Sequence, residues 1–171
     1  MLIVYTWNGK GKTTAAVGLA VRAAVYGRRV LFLQFIKEWF TGEKESFEKM
    51  LPLVDFCQMG EGFIGIWGDR KEKSVHDNAA QNALDYAQKM LIEKKYEVYI
   101  FDELNVAVSE GLVSIEQVMA LLSVCDEKAD MVITGRGAAK ELLEHADLVT
   151  EMKEIKHPFQ KGILAKRIID F

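Results

Sequence analysis

The stretch Thr6-Trp7-Asn8-Gly9-Lys10-Gly11-Lys12-Thr13-Thr14 constrains this chain more than any other. It follows Leu2 to Thr6, an apolar run with the character of a short buried strand. It leads into Lys12 to Tyr26, where Ala15, Ala16, Leu19, Ala20, Ala23 and Ala24 recur at helical spacing and Gly27 supplies a stop. Glycines at a strand-to-helix junction let backbone N–H groups curl around phosphate oxygens, and the helix N-terminus adds its dipole. The phosphate-loop pattern G-x-x-x-x-G-K-[ST] would begin at Thr6, so its first glycine is missing, while Gly11, Lys12 and Thr13 fill their places. Lys12 offers a point charge to phosphates, and the Thr13 hydroxyl is a candidate ligand for Mg²⁺. The bland alternative is a Gly/Lys turn capped by Thr13, but Gly-Lys-Gly-Lys-Thr-Thr at such a junction rarely arises as mere punctuation.

Strand and helix signals alternate through the rest of the chain. Val30 to Phe35 is a second β-rich run, Glu43 to Leu51 a short helix ending at Pro52, and Val54 to Phe56 a third strand. Arg70 to Glu93 is the longest helical pattern, with Val75, Ala79, Ala83, Leu84, Ala87, Met90 and Leu91 at three- and four-residue steps. Val98 to Phe101 is a buried strand, Ile115 to Val124 a helix with Ser114 as its N-cap, and Met131 to Thr134 another strand. Gly135-Arg136-Gly137 leads to a helix through Leu143, Leu148 to Thr150 is a further strand, and Leu164 to Ile169 a last one. Continuous apolar strands separated by helices imply βαβ units: an α/β fold with a mainly parallel sheet flanked by helices.

A second motif matches the first. Val98-Tyr99-Ile100-Phe101-Asp102-Glu103 is an apolar strand ending in carboxylates, as in a Walker B strand. Carboxylates at the C-terminal edge of a parallel strand face the crevice where ligands bind. Asp102 or Glu103 would hold Mg²⁺ directly or through water, unless the pair merely opens a loop. These motifs name the ligand and leave the reaction open. Glu103 could activate water in a hydrolase, or serve a metal site in a transfer enzyme that uses none.

Composition narrows the setting. The 171 residues fit one domain, and half of them are hydrophobic, enough for a sizeable core. With 22 basic and 25 acidic residues the net charge is −3, a poor basis for nucleic-acid binding through bulk charge. Cys57 and Cys125 stand far apart, with no zinc-type spacing and no disulfide framework, which points to a reducing cytoplasm. No apolar run approaches the roughly 18 residues of a membrane span. The histidines His76, His145 and His157 assemble no nucleophile–base pair with any other residue, and each reads as structural or solvent-facing.

Further segments carry a resemblance. They are Gln34-Phe35-Ile36-Lys37, Met59-Gly60-Glu61-Gly62-Phe63, Phe101-Asp102-Glu103-Leu104-Asn105, Thr134-Gly135-Arg136-Gly137, Ala146-Asp147-Leu148-Val149-Thr150-Glu151-Met152 and Lys156-His157-Pro158-Phe159 followed by Gly162-Ile163. Together with the phosphate loop, and in this order from about residue 2 to residue 171, they resemble the P-loop corrinoid adenosyltransferases. The resemblance implies a single RecA-like P-loop domain over 1–171, usually a homodimer, that transfers the 5′-deoxyadenosyl group of ATP to reduced cobalt and releases triphosphate. The corrinoid would be cob(I)alamin or cob(I)yrinic acid a,c-diamide, with Mg²⁺ or Mn²⁺ accompanying the ATP and a flavodoxin-type protein as a possible reductant. By position it implies that Asn8, Gly9, Lys10, Gly11, Lys12, Thr13 and Thr14 hold the triphosphate. Thr13 with Asp102 or Glu103 would serve the metal, and Arg136 would touch phosphate or ribose. Lys37, at the end of the second strand, could reach the same crevice or stay solvated.

The family places aromatics in a Gly-Phe-Thr-Trp motif near the lower face of the cobalt. Here Gly62-Phe63-Ile64-Gly65-Ile66-Trp67 keeps Phe63, puts Gly65 at the Trp position and brings Trp67 two residues later, so Phe63 and Trp67 are the corrinoid candidates. Trp7 stands where the family usually has Gly, and its ring could stack on the nucleotide or narrow the loop. Many relatives carry an extension before the first strand, and a lid of that kind is expected to be missing here. Two other readings use the same residues: a P-loop ATPase with Glu103 as base, or a non-catalytic ATP-binding protein whose corrinoid site has decayed.

Overall fold

The computed structural model describes residues 1–38, 41–50, 52–64 and 70–169. Six strands form one sheet: β1 (Leu2–Thr6), β2 (Val30–Gln34), β3 (Val54–Gln58), β4 (Val98–Asp102), β5 (Asp130–Thr134) and β6 (Leu148–Glu151). Their order is β3-β2-β4-β5-β1-β6, and every pairing is parallel. The helices are α1 (Lys12–Val25), α2 (Gly42–Met50), α3 (Lys73–Ile92), α4 (Leu104–Ser109), α5 (Ile115–Ser123) and α6 (Lys140–His145). Pro158–Lys161 adds a 3₁₀ turn.

The central strands β2 and β4 are apolar or aromatic up to their last residues, Gln34 and Asp102, because both faces are covered. In β2, Val30 and Phe32 pack with Ala16, Ala20 and Ala24 of α1. Leu31 and Leu33 point the other way, into a core with Ala83, Ala87 and Leu91 of α3. The alanine stripe of α1 lets that helix lie close to the sheet, directly behind the phosphate loop. Ser114 caps α5 as expected: its hydroxyl accepts from Gln117 N–H while the Gln117 side chain accepts from Ser114 N–H.

The structure corrects the sequence reading in three places. Residues 164–169 form no strand; they follow Gly162, whose φ is 72°, through turns to the mouth of the crevice. α3 begins at Lys73 rather than Arg70, and its inward stripe is phased on His76, leaving Val75 at the surface. The short helix α4 directly after Glu103 was not anticipated. Among the described residues no helix is long and apolar enough to cross a membrane, and both cysteines are free.

Candidate functional site

The C-terminal ends of β1, β2, β4 and β5 converge on one cleft of about 1030 Å³. Asn8, Gly9, Lys10, Gly11, Lys12, Thr13 and Thr14 line it, and so do Lys37, Phe63, Glu103 and Arg136. Of the sequence candidates, Asp102 lies just beneath this surface and is fully buried. Trp67 lies outside the described residues.

Asp102 anchors the floor. Its Oδ1 accepts from Thr13 Oγ1 at 2.8 Å and from Thr134 Oγ1 at 2.7 Å. Its Oδ2 accepts from Gln34 Nε2 at 2.9 Å and from Lys37 Nζ at 3.2 Å. Sheet register creates this cluster, since Gln34 and Asp102 are partners across β2 and β4. Gln58, paired with Gln34 across β2 and β3, donates to its Oε1 at 2.9 Å. Polar side chains thus run along the strand ends and hold the carboxylate in place. A buried charge needs such company.

Lys37 is drawn into the site rather than solvated. Its side chain is only 15% exposed, and Nζ also lies 3.5 Å from Glu43 Oε1 and 3.4 Å from Thr13 Oγ1. Burial alone would lower its pKa. The carboxylates of Asp102, Glu43 and Glu103 outweigh that and hold it above the ordinary lysine value. Sequence reading missed Gln34, Glu43 and Thr134; the polar Gln34 at the end of an apolar strand was the available signal.

Lys12 closes on its own loop, with Nζ donating to Trp7 O at 2.8 Å and Gly9 O at 2.7 Å. Burial pushes its pKa below the ordinary value; Glu103 opposes this and Arg136 reinforces it. Glu103 faces the cleft with its pKa raised to about 7, first by burial and then by the neighbouring Asp102 charge. Arg136 is exposed on the rim, in a turn that needs Gly135: φ there is 132°, and a Cβ would meet Asn105 Cβ and Val106 N at 2.9 Å.

Trp7 and Glu103 both have positive φ, 81° and 62°, immediately after β1 and β4. Non-glycine residues rarely take this conformation, and it marks functional turns. The Trp7 position therefore suits glycine, as the family pattern suggests. Trp7 is 46% exposed and does not line the cleft, although its carbonyl accepts from Lys12 Nζ.

The far wall is the C-terminal segment. Met152 O accepts from Gly9 N–H at 2.6 Å, and a Cβ on Gly9 would sit 2.2 Å from that oxygen. Beyond this tie, Glu154, His157, Phe159 and Ile168 line the cleft. His157 is half-buried, and its Nδ1 accepts from Phe159 N–H at 3.2 Å. Of the other histidines, His76 is buried in α3 and His145 is exposed.

Thr13, Asp102 and Glu103 form a hard oxygen donor set suited to Mg²⁺ or Mn²⁺. The Lys37 ammonium lies within hydrogen-bond distance of two of these residues, at 3.4 Å from Thr13 Oγ1 and 3.2 Å from Asp102 Oδ2. No group of three or more His, Cys, Asp or Glu side chains able to hold a metal occurs among the described residues. A divalent ion would therefore need phosphate oxygens and water to complete its shell, the usual manner for Mg²⁺.

Comparison with known proteins matches all of residues 1–171 to the family model "ATP:corrinoid adenosyltransferase BtuR/CobO/CobP". The chain is 36% identical over 172 residues to a corrinoid adenosyltransferase of Escherichia coli strain K12, covering 100% of this chain and 85% of that protein. It is 37% identical over 176 residues to a corrinoid adenosyltransferase from a Sinorhizobium species, covering 100% of this chain and 80% of the relative. Among solved structures, the flagellar accessory protein FlaH from Methanocaldococcus jannaschii superposes with a TM-score of 0.58 at 14% identity. That superposition covers 88% of this chain and 69% of FlaH, a likeness of fold alone.

Proposed function

The chain belongs to the ATP:corrinoid adenosyltransferase family, an enzyme family, and from that premise we propose how residues 1–171, as one domain, transfer the 5′-deoxyadenosyl group. The convergence of the phosphate loop and Phe63 on one cleft, with Asp102 bonded to Thr13 beneath its floor, is the observation that carries the reading. The loop N–H groups and Lys12 hold the triphosphate, which requires Lys12 to exchange its bonds to Trp7 O and Gly9 O for phosphate oxygens. Arg136 at the rim adds positive charge. Reduced cobalt attacks C5′, the C5′–O bond breaks, and its electron pair leaves with the triphosphate. No protein base is needed, because cob(I) is itself a strong nucleophile. The protein aligns the carbon for in-line displacement and stabilises the departing charge.

Thr13 and Asp102, with Glu103 nearby, would hold Mg²⁺ or Mn²⁺, which when bound neutralises part of the triphosphate charge. Phe63, half-buried between the core and the cleft, presents an apolar face to the corrinoid and excludes water from the lower side of the cobalt. A homodimer in the cytoplasm, served by a flavodoxin-type reductant, completes the proposal.

The test is anaerobic turnover with ATP, Mg²⁺ and cob(I)alamin, followed by phosphorus NMR and by light-sensitive absorbance. Adenosylcobalamin with intact triphosphate is expected. Orthophosphate released without any corrinoid requirement would instead support an ATPase.

A further inference from the structure

We infer that Lys37 is a resident counter-cation at the divalent-metal position, so that the protein excludes a divalent ion until a polyphosphate is bound. The inference rests on the metal assignment proposed above. The Lys37 ammonium lies 3.4 Å from Thr13 Oγ1, 3.2 Å from Asp102 Oδ2 and 3.5 Å from Glu43 Oε1. Two of these oxygens belong to the residues assigned to the metal. A short turn brings Lys37 there: β2 ends at Gln34, and Phe35 N–H donates to Asp102 O at 3.0 Å, which carries the next residues across the end of β4.

Asp102 is fully buried, and its other partners, Gln34, Thr13 and Thr134, are neutral. Among the described residues Lys37 is the cation bonded to it, and a buried carboxylate stripped of its cation is strongly disfavoured. A divalent ion and an ammonium cannot share these oxygens, because like charges about 4 Å apart repel strongly in a site screened from water. Metal entry without nucleotide must therefore pull Lys37 away from the buried Asp102 carboxylate and from Thr13, which breaks its 3.2 Å ion pair and leaves it the more distant Glu43 carboxylate at 3.5 Å. A bound triphosphate changes both sides of this exchange, giving oxygens to the metal and an anionic partner to the displaced ammonium. Lys37 is thus a positioning residue that makes metal entry conditional on the nucleotide.

Manganese titration followed by electron paramagnetic resonance tests this on the full chain. Nucleotide-free wild type should bind Mn²⁺ weakly, and ATP should tighten binding. Lys37→Met, confirmed folded by circular dichroism, should bind Mn²⁺ without nucleotide at least about tenfold tighter than wild type, the least expected from removing a like charge at ~4 Å. Lys37→Arg, which keeps the charge, should stay with wild type. Equal Mn²⁺ affinity in Lys37→Met and wild type would overturn the proposal. So would wild type that binds Mn²⁺ as tightly without ATP as with it, a measurement that needs no variant. Asp102→Asn separates the two readings. If it leaves ATP-supported Mn²⁺ uptake unchanged, the metal assignment fails. If it weakens that uptake while Lys37→Met behaves as wild type, the assignment stands and the role of Lys37 fails.

Discussion

The two walls of the cleft are held by different forces. The strand-end wall is a charge cage in which Lys12, Asp102 and Thr134 are buried and each makes two or more hydrogen bonds or is otherwise paired. The opposite wall, residues 153–169, is almost wholly exposed; Ile155 is 83% and Ile168 91% accessible. It is joined to the phosphate loop where Met152 O meets Gly9 N–H. The first wall is preorganised, and groups fixed in advance stabilise developing charge without reorganising during the reaction. The second has too little core burial to be fixed by packing alone.

Substitutions can break or sharpen this contrast. Lys12→Ala should have the largest effect, lowering kcat by about 10²–10³-fold, the scale for loss of one preorganised donor, with an unchanged circular dichroism spectrum. A fall below about tenfold in steady-state assays would mean the cage is not where charge is stabilised. Gly9→Ala strikes the joint between the walls, because the new methyl collides with Met152 O at 2.2 Å. It should cost about 1–3 kcal/mol in denaturant unfolding and weaken ATP binding. Unaltered stability would show that the C-terminal segment is not tied to the loop in this way.

Phe63→Ala should slow adenosylation starting from cob(II) more than from pre-reduced cob(I), because an apolar lower face matters for the reduction. Equal losses on both routes would remove that role from Phe63. Trp7→Gly should change least. Relief of the φ 81° strain favours the variant, while the extra freedom of glycine in the unfolded chain opposes it. The net change should stay within about 1 kcal/mol, with ATP affinity, read by calorimetry, close to wild type. A large loss of affinity would put the ring at the nucleotide after all.

The preorganised wall was also the more legible in sequence. The phosphate loop is contiguous, and its glycines, Lys12 and Thr13 announce their chemistry by type and spacing alone. Asp102 was visible because an apolar strand stops at a carboxylate. Its support was not: Gln34, Thr134 and Glu43 meet Asp102 or Lys37 through sheet register and a helix entry that no local pattern records. Lys37 stood undecided between solvent and site because strand-end lysines are common, and only the juxtaposition of β2 and β4 decides it. The C-terminal wall misled most. Leu164 to Ile169 has strand-like composition, but a strand needs a partner edge, and after Gly162 the chain crosses the cleft mouth, where Ile168 and Ile169 line the opening. The helix α4 escaped notice because it is six residues long and lacks a side-chain cap.

Calorimetry comparing ATP with adenosine tests the central claim most directly, namely that the loop after β1 grips the triphosphate and leaves the sugar carbon to the cobalt. ATP should bind wild type at least about a hundredfold more tightly than adenosine, a gap of ~2.7 kcal/mol, and Lys12→Ala should erase most of that gap. Adenosine binding as tightly as ATP, or no heat with ATP at millimolar concentration, would contradict it.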